Sequence, residues 1–329
     1  MAKILVTGGA GAIGSNLCNT LARDHEVVAL DNLSSGYRWL LDEKVKFVEG
    51  DIDHVHDLGL GDGFTHVFHL AAFFANQNSV DHPFEDLRVN IRGTLAVLEF
   101  AHRSRALERF VFASAGCSVY DKKNPLPLKE EYPITLLHDT PYQISKMTGE
   151  MYCNWFNAYY GMPTVAFRFF NSYGPGEVPG RYRNVIPNFI WWAMHGQTLP
   201  ITGSGHETRD FIFVEDLVQG LTLGAFTPNI SGEVFNLGTS VQTEVIDLAS
   251  RINALTGNAA GVEYKPKRDW DKSDKKAADF GKAHKMLGFE PKTQIPEGLA
   301  RVHEWFVKHR GQIEESQSLL APEQRLVRA

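Results

Sequence analysis

No hydrophobic run in the chain is long enough to span a bilayer. Its longest stretch free of Asp, Glu, Lys and Arg, Asn184 to His206, carries two prolines, three glycines and two histidines, whereas a spanning helix needs ~20 predominantly apolar residues. At the start, Met1-Ala2-Lys3-Ile4-Leu5-Val6 reaches glycine before an apolar signal region can form, so neither a signal peptide nor a membrane partner is expected. Cysteine is scarce: Cys18, Cys117 and Cys153 are odd in number and scattered, which reads as free thiols in a reducing cytoplasm. A basic excess is also missing. Lys plus Arg total 33 against 39 for Asp plus Glu, a net charge of −6, so no nucleic-acid partner is expected, because phosphate contacts need a basic footprint. There are no internal repeats and no low-complexity tracts. The HxxH pair His66 and His69 falls inside the strand-like run His66-Val67-Phe68-His69-Leu70 and reads as structural, so no metal is assigned.

What is present is an ordinary globular composition, 43% apolar and 22% charged over 329 residues, about twice the usual domain length. The first half alternates short apolar runs with helical patterns, as successive βα units do. The runs are Ile4–Thr7, Glu26–Asp31, Val45–Gly50, His66–Ala72, Arg109–Ala115 and Pro163–Phe170. They are apolar on both faces, which suits a parallel sheet covered by helices on each side. After Phe170 the rhythm breaks into turn-rich Asn171-Ser172-Tyr173-Gly174-Pro175-Gly176. Helices are expected near Asn184–His195, Glu215–Ala225 and Glu244–Thr256, with a short strand after the first. The fold expected is therefore α/β: a doubly wound parallel sheet over residues 1–170 and a smaller α/β lobe over 171–329, with pieces interleaved. The tail beyond Gly311 shows no partner face and is expected to fray.

Two constellations carry chemistry. Thr7-Gly8-Gly9-Ala10-Gly11-Ala12-Ile13-Gly14 lies between the first strand and first helix. Glycines at 8, 11 and 14 allow a tight turn and let backbone N–H groups and the helix N-terminus approach a pyrophosphate. Asp31 ends the second strand 17 residues after Gly14, where a carboxylate accepts hydrogen bonds from a ribose diol and repels a 2′-phosphate. Asn32 and Leu33 follow it rather than an arginine, so NAD is preferred to NADP. The second constellation is Tyr142-Gln143-Ile144-Ser145-Lys146, whose i, i+4 spacing puts Tyr142 and Lys146 on one helix face. An ammonium beside a phenol, with a cationic nicotinamide near, favours phenolate and makes the tyrosine an acid–base group.

Together these residues resemble the extended short-chain dehydrogenase/reductase family, specifically its nucleotide-sugar epimerases and dehydratases, from about Lys3 to Pro291. Gly50-Asp51-Ile52 is similar to the family segment whose Asp binds adenine. His69-Leu70-Ala71-Ala72 resembles the strand end beside the cofactor, and Asn90 lies in a similar Val-Asn-Ile-Arg-Gly-Thr helix. Phe169-Phe170-Asn171-Ser172-Tyr173-Gly174-Pro175 resembles the join between cofactor and sugar sites. The resemblance implies NAD contacts from Gly8, Gly11, Ala12, Ile13, Gly14, Asp31, Asn32, Asp51, Ile52, Leu70, Ala71, Ala72, Asn90, Ser114, Tyr142, Lys146 and Phe169. It implies nucleotide-sugar contacts from Asn171, Asn184, Val185, Arg209, Arg268 and Asp271, with a UDP-sugar favoured. Helices near Leu87–Arg103 and Tyr142–Tyr160 resemble those that pair in family homodimers.

One segment departs from the family pattern. The family completes a Ser/Thr–Tyr–Lys set with a hydroxyl just after the fifth strand, where this chain reads Ser114-Ala115-Gly116-Cys117-Ser118-Val119-Tyr120. Counting from either side puts Ala115 or Gly116 at the expected place. Ser118 is assigned, with Ser114 and Cys117 as alternatives. The same segment lacks the carboxylate that dehydratases and decarboxylases carry there, so the expected reaction is epimerisation at C4 of a UDP-hexose or UDP-hexuronate through a 4-keto intermediate. The alternatives are a 4,6-dehydratase, a decarboxylase, a 2-epimerase or a non-catalytic NAD-binding regulator. An acid arriving from elsewhere, such as Glu130 or Asp139, would reopen elimination.

Overall fold

The computed structural model describes residues 1–272 and 274–319, without the side chains of Cys117 and Ser118. Six strands appear where the apolar runs predict them: β1 (Lys3–Thr7), β2 (Glu26–Asp31), β3 (Lys46–Glu49), β4 (His66–His69), β5 (Arg109–Ala115) and β6 (Thr164–Phe169). They form a parallel sheet in the order β6-β5-β4-β1-β2-β3, and a seventh parallel strand, Val234–Leu237, pairs with β6. This last strand is not expected from the sequence. It is four residues long and comes from the second half of the chain.

Alternate residues of each strand feed separate cores, which is why the runs are apolar throughout. Ile4, Val6, Phe68, Val111 and Phe167 pack with Leu17 of helix α1 (Ala12–Leu21) and with Leu217 and Leu221 of the Val214–Phe226 helix. Leu5, Val67, Phe110 and Phe112 point the other way, onto Leu98 and Phe156 of the Thr94–His102 and Pro141–Tyr160 helices. A third apolar cluster, including Ile190, Leu248, Leu299 and Phe306, holds the far lobe together. There the Leu199–Thr202 and Val262–Lys265 strands pair in parallel.

The tail corrects one expectation over residues 312–319; residues 320–329 lie outside the described residues. Residues Arg310–Leu319 form a helix whose Ile313 is fully buried in the far-lobe cluster. One apolar side chain finds a cavity that sequence periodicity does not reveal. No helix among the described residues is long and apolar enough to cross a membrane.

The strand order reverses beside β1: β2 and β3 lie on one side of it and β4 to β6 on the other. The loops leaving β1 and β4 therefore diverge, and a crevice opens at the carboxyl ends of the strands. The short Asn171–Tyr173 strand, which follows β6 directly, pairs with Phe211–Phe213 and carries the chain across this crevice into the far lobe.

Candidate active site

A cleft of about 440 Å³ occupies the crevice. Its floor is the turn from β1 into α1. Gly8 takes φ +69°, and its N–H donates to the Leu30 carbonyl at 2.8 Å. A Cβ on Gly14 would lie 2.0 Å from the Gly8 carbonyl oxygen, and one on Gly8 would lie 2.7 Å from the Ala71 nitrogen, so only glycine lets the loop and the helix close together. Gly11 is the N-cap of α1 and supplies no capping side chain, and the first turn holds no acidic residue. The helix end thus keeps free amides and its positive dipole for an anion.

Asp31 closes the floor on the β2 side. Its carboxylate accepts the Ala10 N–H at 3.0 Å and the Leu33 N–H at 2.8 Å. Burial raises its pKa against those two amides and the Arg183 charge. Burial also acts on Asp51, but the Asp53 amide, Asn32 and Arg88 together hold that carboxyl below its ordinary value. Asn32 donates to Asp51 at 3.1 Å, and Arg88 reaches Asp51 at 3.2 Å and Asp53 at 2.5 Å.

At the β5 end stands the Tyr142/Lys146 pair. The Pro141–Tyr160 helix begins where Thr140 accepts the Gln143 N–H, and it ends at Gly161 with φ +65°. A Cβ on Gly149 would fall 2.5 Å from the Phe112 ring, so the helix lies close on β5. That approach lets the buried Lys146 ammonium donate to the Ala113 carbonyl at 2.9 Å. The same nitrogen is 5.9 Å from the Tyr142 ring centroid. Burial lowers the Lys146 pKa to about 8, opposed by the Asp86 carboxylate.

Most residues assigned from the sequence come together in this cleft. Gly8, Gly11, Ala12, Ile13, Gly14, Asp31, Asn32, Asp51, Ile52, Leu70, Ala71, Ala72, Ser114, Tyr142, Lys146, Phe169, Asn171 and Asn184 all line it. Asn90 does not. Its side chain is 2% exposed and sits behind the wall, exchanging hydrogen bonds with the backbone of cleft-lining Phe73 and donating to Asp86 and Ser145. The structure makes it a positioning residue. Val185 heads the Val185–Met194 helix just outside the lining. Arg209, Arg268 and Asp271 also lie off the lining: Arg209 grips both Asp271 oxygens at 3.2 and 3.0 Å, and Arg268 lies over Trp270.

Of the three candidate residues near the end of β5, Ser114 lies within the strand itself. The Ser114 hydroxyl donates to Glu150 at 2.7 Å, and Arg168 forks onto the same carboxylate at 3.1 and 2.6 Å, so the Ser114 proton is committed away from the cleft. The Cys117 and Ser118 side chains lie outside the described residues. Glu130 and Asp139 do not enter the cleft: the first accepts the Asn236 N–H at 2.6 Å, and the second pairs with Lys122 at 2.6 Å. His69 holds Thr7 at 2.7 Å and Thr94 at 2.9 Å beneath the floor.

Sequence reasoning missed Glu177 and Arg183, both of which line the cleft. Glu177 is buried and accepts the Asn184 side-chain amide at 2.9 Å. Burial lifts its pKa to about 7, against the charge of Arg183 and the bonds from Asn184. Glu177 does stand two residues after Pro175, at the edge of a motif already noted, but nothing local marks it or Arg183 as facing the site.

The buried ammonium makes the pH dependence of stability specific. Below pH 8 the folded and unfolded chains both hold the Lys146 proton; between about 8 and the ordinary 10.5 only the unfolded chain does. Unfolding free energy then rises with pH, because the unfolded state binds more protons. Wild-type protein without cofactor should therefore gain stability relative to Lys146→Met as pH rises from 8 to 10.5, with no change in the gap between pH 6 and 7.5. Chemical denaturation at each pH measures it, and a gap that stays constant across the alkaline range refutes the buried charge.

The comparisons with known proteins agree with this geometry. Residues 4–238 match the model of the NAD dependent epimerase/dehydratase family. The UDP-glucose 4-epimerase of Mycolicibacterium smegmatis is 35% identical over 92% of this chain and 98% of its own length. Among solved structures, an epimerase from Methanothermobacter thermautotrophicus superposes with a TM-score of 0.93 at 49% identity, covering 96% of this chain and 95% of that one. The UDP-glucose 4-epimerase of Thermotoga maritima, solved with UDP-glucose, gives 0.88 at 33% identity, covering 94% and 99%. With its glycine turn, its Asp31 and its Tyr142/Lys146 pair gathered in one cleft, the chain belongs to the NAD dependent epimerase/dehydratase family.

Proposed function

We propose that the protein is an NAD-dependent UDP-sugar 4-epimerase of the cytoplasm. The observation that carries the reading is the Tyr142/Lys146 pair at one end of a cleft whose other end is the open α1 N-terminus with Asp31 beside it. These groups fit NAD: the glycine turn leaves room that a Cβ would fill, and Asp31 faces the cleft where a ribose diol would lie. When bound, NAD would supply the hydride chemistry for inversion at C4 through a 4-keto sugar.

The chain's own residues move the proton and hold the reactants. Tyr142 takes the proton from the 4-hydroxyl and gives it back. The Lys146 ammonium, held by the Ala113 carbonyl, favours the tyrosinate by Coulomb attraction. Ser118 is the third member of the set. Asn171 and Asn184 hold the nucleotide sugar within the cleft. Val185 lies at its edge, and Arg209 and Arg268, with Asp271 paired to Arg209, form an outer rim for the nucleotide sugar. The rim is tied to the cleft by Trp270, which donates to Gln77 at 2.7 Å, between the lining residues Asn76 and Asn78.

Elimination would need an acid beside the reacting carbons. Among the described residues four acids line the cleft: Asp31 is engaged by the Ala10 and Leu33 amides, Asp51 and Glu85 by Arg88, and Glu177 follows Gly176, where a Cβ would lie 3.2 Å from the Asn16 side-chain nitrogen and 3.4 Å from the Ala12 carbonyl oxygen. Glu177 therefore packs beside α1, where it accepts from Asn184, and the engagement of each of the four acids by amides or an arginine supports epimerisation. Buried, unpaired Cys18 and Cys153 support the reducing compartment. Met151, Trp155 and Tyr159 expose an apolar stripe on the Pro141–Tyr160 helix, which supports a homodimer. A monomeric mass in sedimentation equilibrium would overturn that assembly.

UDP-glucose deuterated at C4 tests the reaction. The expected product is the C4 epimer with deuterium retained there, unchanged mass and no net NADH, read by NMR and mass spectrometry. A product lighter by water or carbon dioxide overturns it. Tyr142→Phe keeps the ring and removes the acid–base hydroxyl, so turnover should fall by about 10²-fold or more while NAD still binds. Near-normal turnover by the folded variant would remove Tyr142 from the mechanism.

A further inference from the structure

Residues 179–184 leave the second half of the chain and cross the cleft beside the glycine turn. Polar ties hold this segment at three places. The Arg183 guanidinium donates to the Ser35 carbonyl and bonds the Tyr37 hydroxyl. The Tyr182 hydroxyl donates to Asp81 at 3.0 Å on the far bank, and the Gln317 amide donates to the Pro179 carbonyl behind. Ser35 and Tyr37 belong to the loop after Asp31, and the Tyr37 N–H in turn donates to the Ala10 carbonyl in the glycine turn at 2.8 Å. The Arg183 bonds therefore bridge the substrate side of the cleft to the loop that frames the ribose site.

The charge of Arg183 is unusually placed. Among the described residues, four cations line the cleft: Arg88, Lys146, Arg181 and Arg183. Arg88 is neutralised by Asp51, Asp53 and Glu85, Arg181 lies 4.0 Å from Asp81, and Lys146 stands at the β5 end on the Ala113 carbonyl. Arg183 bonds a neutral carbonyl and a neutral phenol, and among the described residues no carboxylate oxygen lies within 4.0 Å of it. Its field reaches Asp31 and Glu177, which places it across the cleft at the end where α1 begins. A half-buried guanidinium without a carboxylate partner favours an anion coming to it.

We propose that Arg183 is the clasp of the cofactor groove. It closes residues 179–184 over the ribose loop and offers its free charge to the dinucleotide phosphates, which slows cofactor release. This rests on the reading that NAD is regenerated in every cycle. A cofactor that takes hydride and must return it to the same sugar cannot leave between the two events without stranding the keto sugar. Neighbouring Glu177 acts with the clasp by fixing the Asn184 side chain, so one segment carries a cofactor contact at Arg183 and a substrate contact at Asn184.

Release of NADH from loaded protein tests this directly, without substrate. Wild type, Arg183→Ala, Arg183→Lys and Tyr37→Phe are loaded with NADH and chased with excess NAD, and the decay of nicotinamide fluorescence is followed; melting curves at saturating NAD confirm folding. Arg183→Ala should release NADH about 10- to 100-fold faster, the loss of a charge-assisted hydrogen bond in a partly dry site. Arg183→Lys should fall between, keeping the charge and losing the planar fork, and Tyr37→Phe should accelerate release less. A wild-type release rate in Arg183→Ala overturns the clasp and leaves the epimerase reading standing. If that variant does not fold, wild-type rates in both Arg183→Lys and Tyr37→Phe overturn it. Failure of the wild type to bind NADH at all overturns the cofactor reading and the clasp together.

Discussion

Burying the Lys146 ammonium is the constraint on which the active site depends. An ammonium out of water is costly unless it is hydrogen-bonded and near compensating charge, and here it has the Ala113 carbonyl as acceptor and Asp86 as the nearby carboxylate. Both partners impose conditions on the fold. The carbonyl is reached only because Gly149 lets the helix touch Phe112 on β5. Asp86 is held in turn by Asn90, which also ties Ser145 and the Phe73 backbone. The cleft wall, the Pro141–Tyr160 helix and β5 are thus fixed by one network whose centre is a single charge. Asn90 belongs to that network as a support, which explains why it is buried behind the wall.

The other end of the cleft works by the opposite device. Glycine spacing strips side chains from the β1–α1 turn and leaves the helix amides without a cap. That end presents a partial positive charge built from backbone dipoles rather than from an ammonium. Asp31 and Asp51 are kept from approaching the α1 amides by their own bonds, the first to the Ala10 and Leu33 amides and the second to Asp53, Asn32 and Arg88. A cationic end and a tyrosine–lysine end, separated by the length of a dinucleotide cleft, are the arrangement that a hydride cofactor bridges.

Strand pairing sets how the two halves of the chain share this site. Val234–Leu237 completes the sheet beside β6, and the Val214–Phe226 helix packs on α1. The far lobe is therefore anchored to the nucleotide fold through a common core. Residues 171–184 run from that anchor across the cleft, so the segment that lines it from the second half of the chain also meets the loop after Asp31.

The sequence by itself determined the sheet class, its first six strands, the glycine turn, Asp31 and the Tyr142/Lys146 pair. Each of these is written in local periodicity or in short fixed spacing: apolar runs buried on both faces, glycines that meet within one turn, and two side chains one helical turn apart. Only the tertiary structure decided the rest. The seventh strand joins the sheet from the second half of the chain, outside the βα rhythm, and Ile313 is a single apolar residue that needs a cavity made elsewhere. Arg209 and Asp271 are 62 residues apart and neutralise each other off the cleft lining. Ser114 turns to Glu150 because helix and strand bring those two together 36 residues apart. Glu177 and Arg183 become site residues because the chain crosses the cleft there. Partner choice over such distances depends on which surfaces the packed core brings together, and no local pattern encodes it.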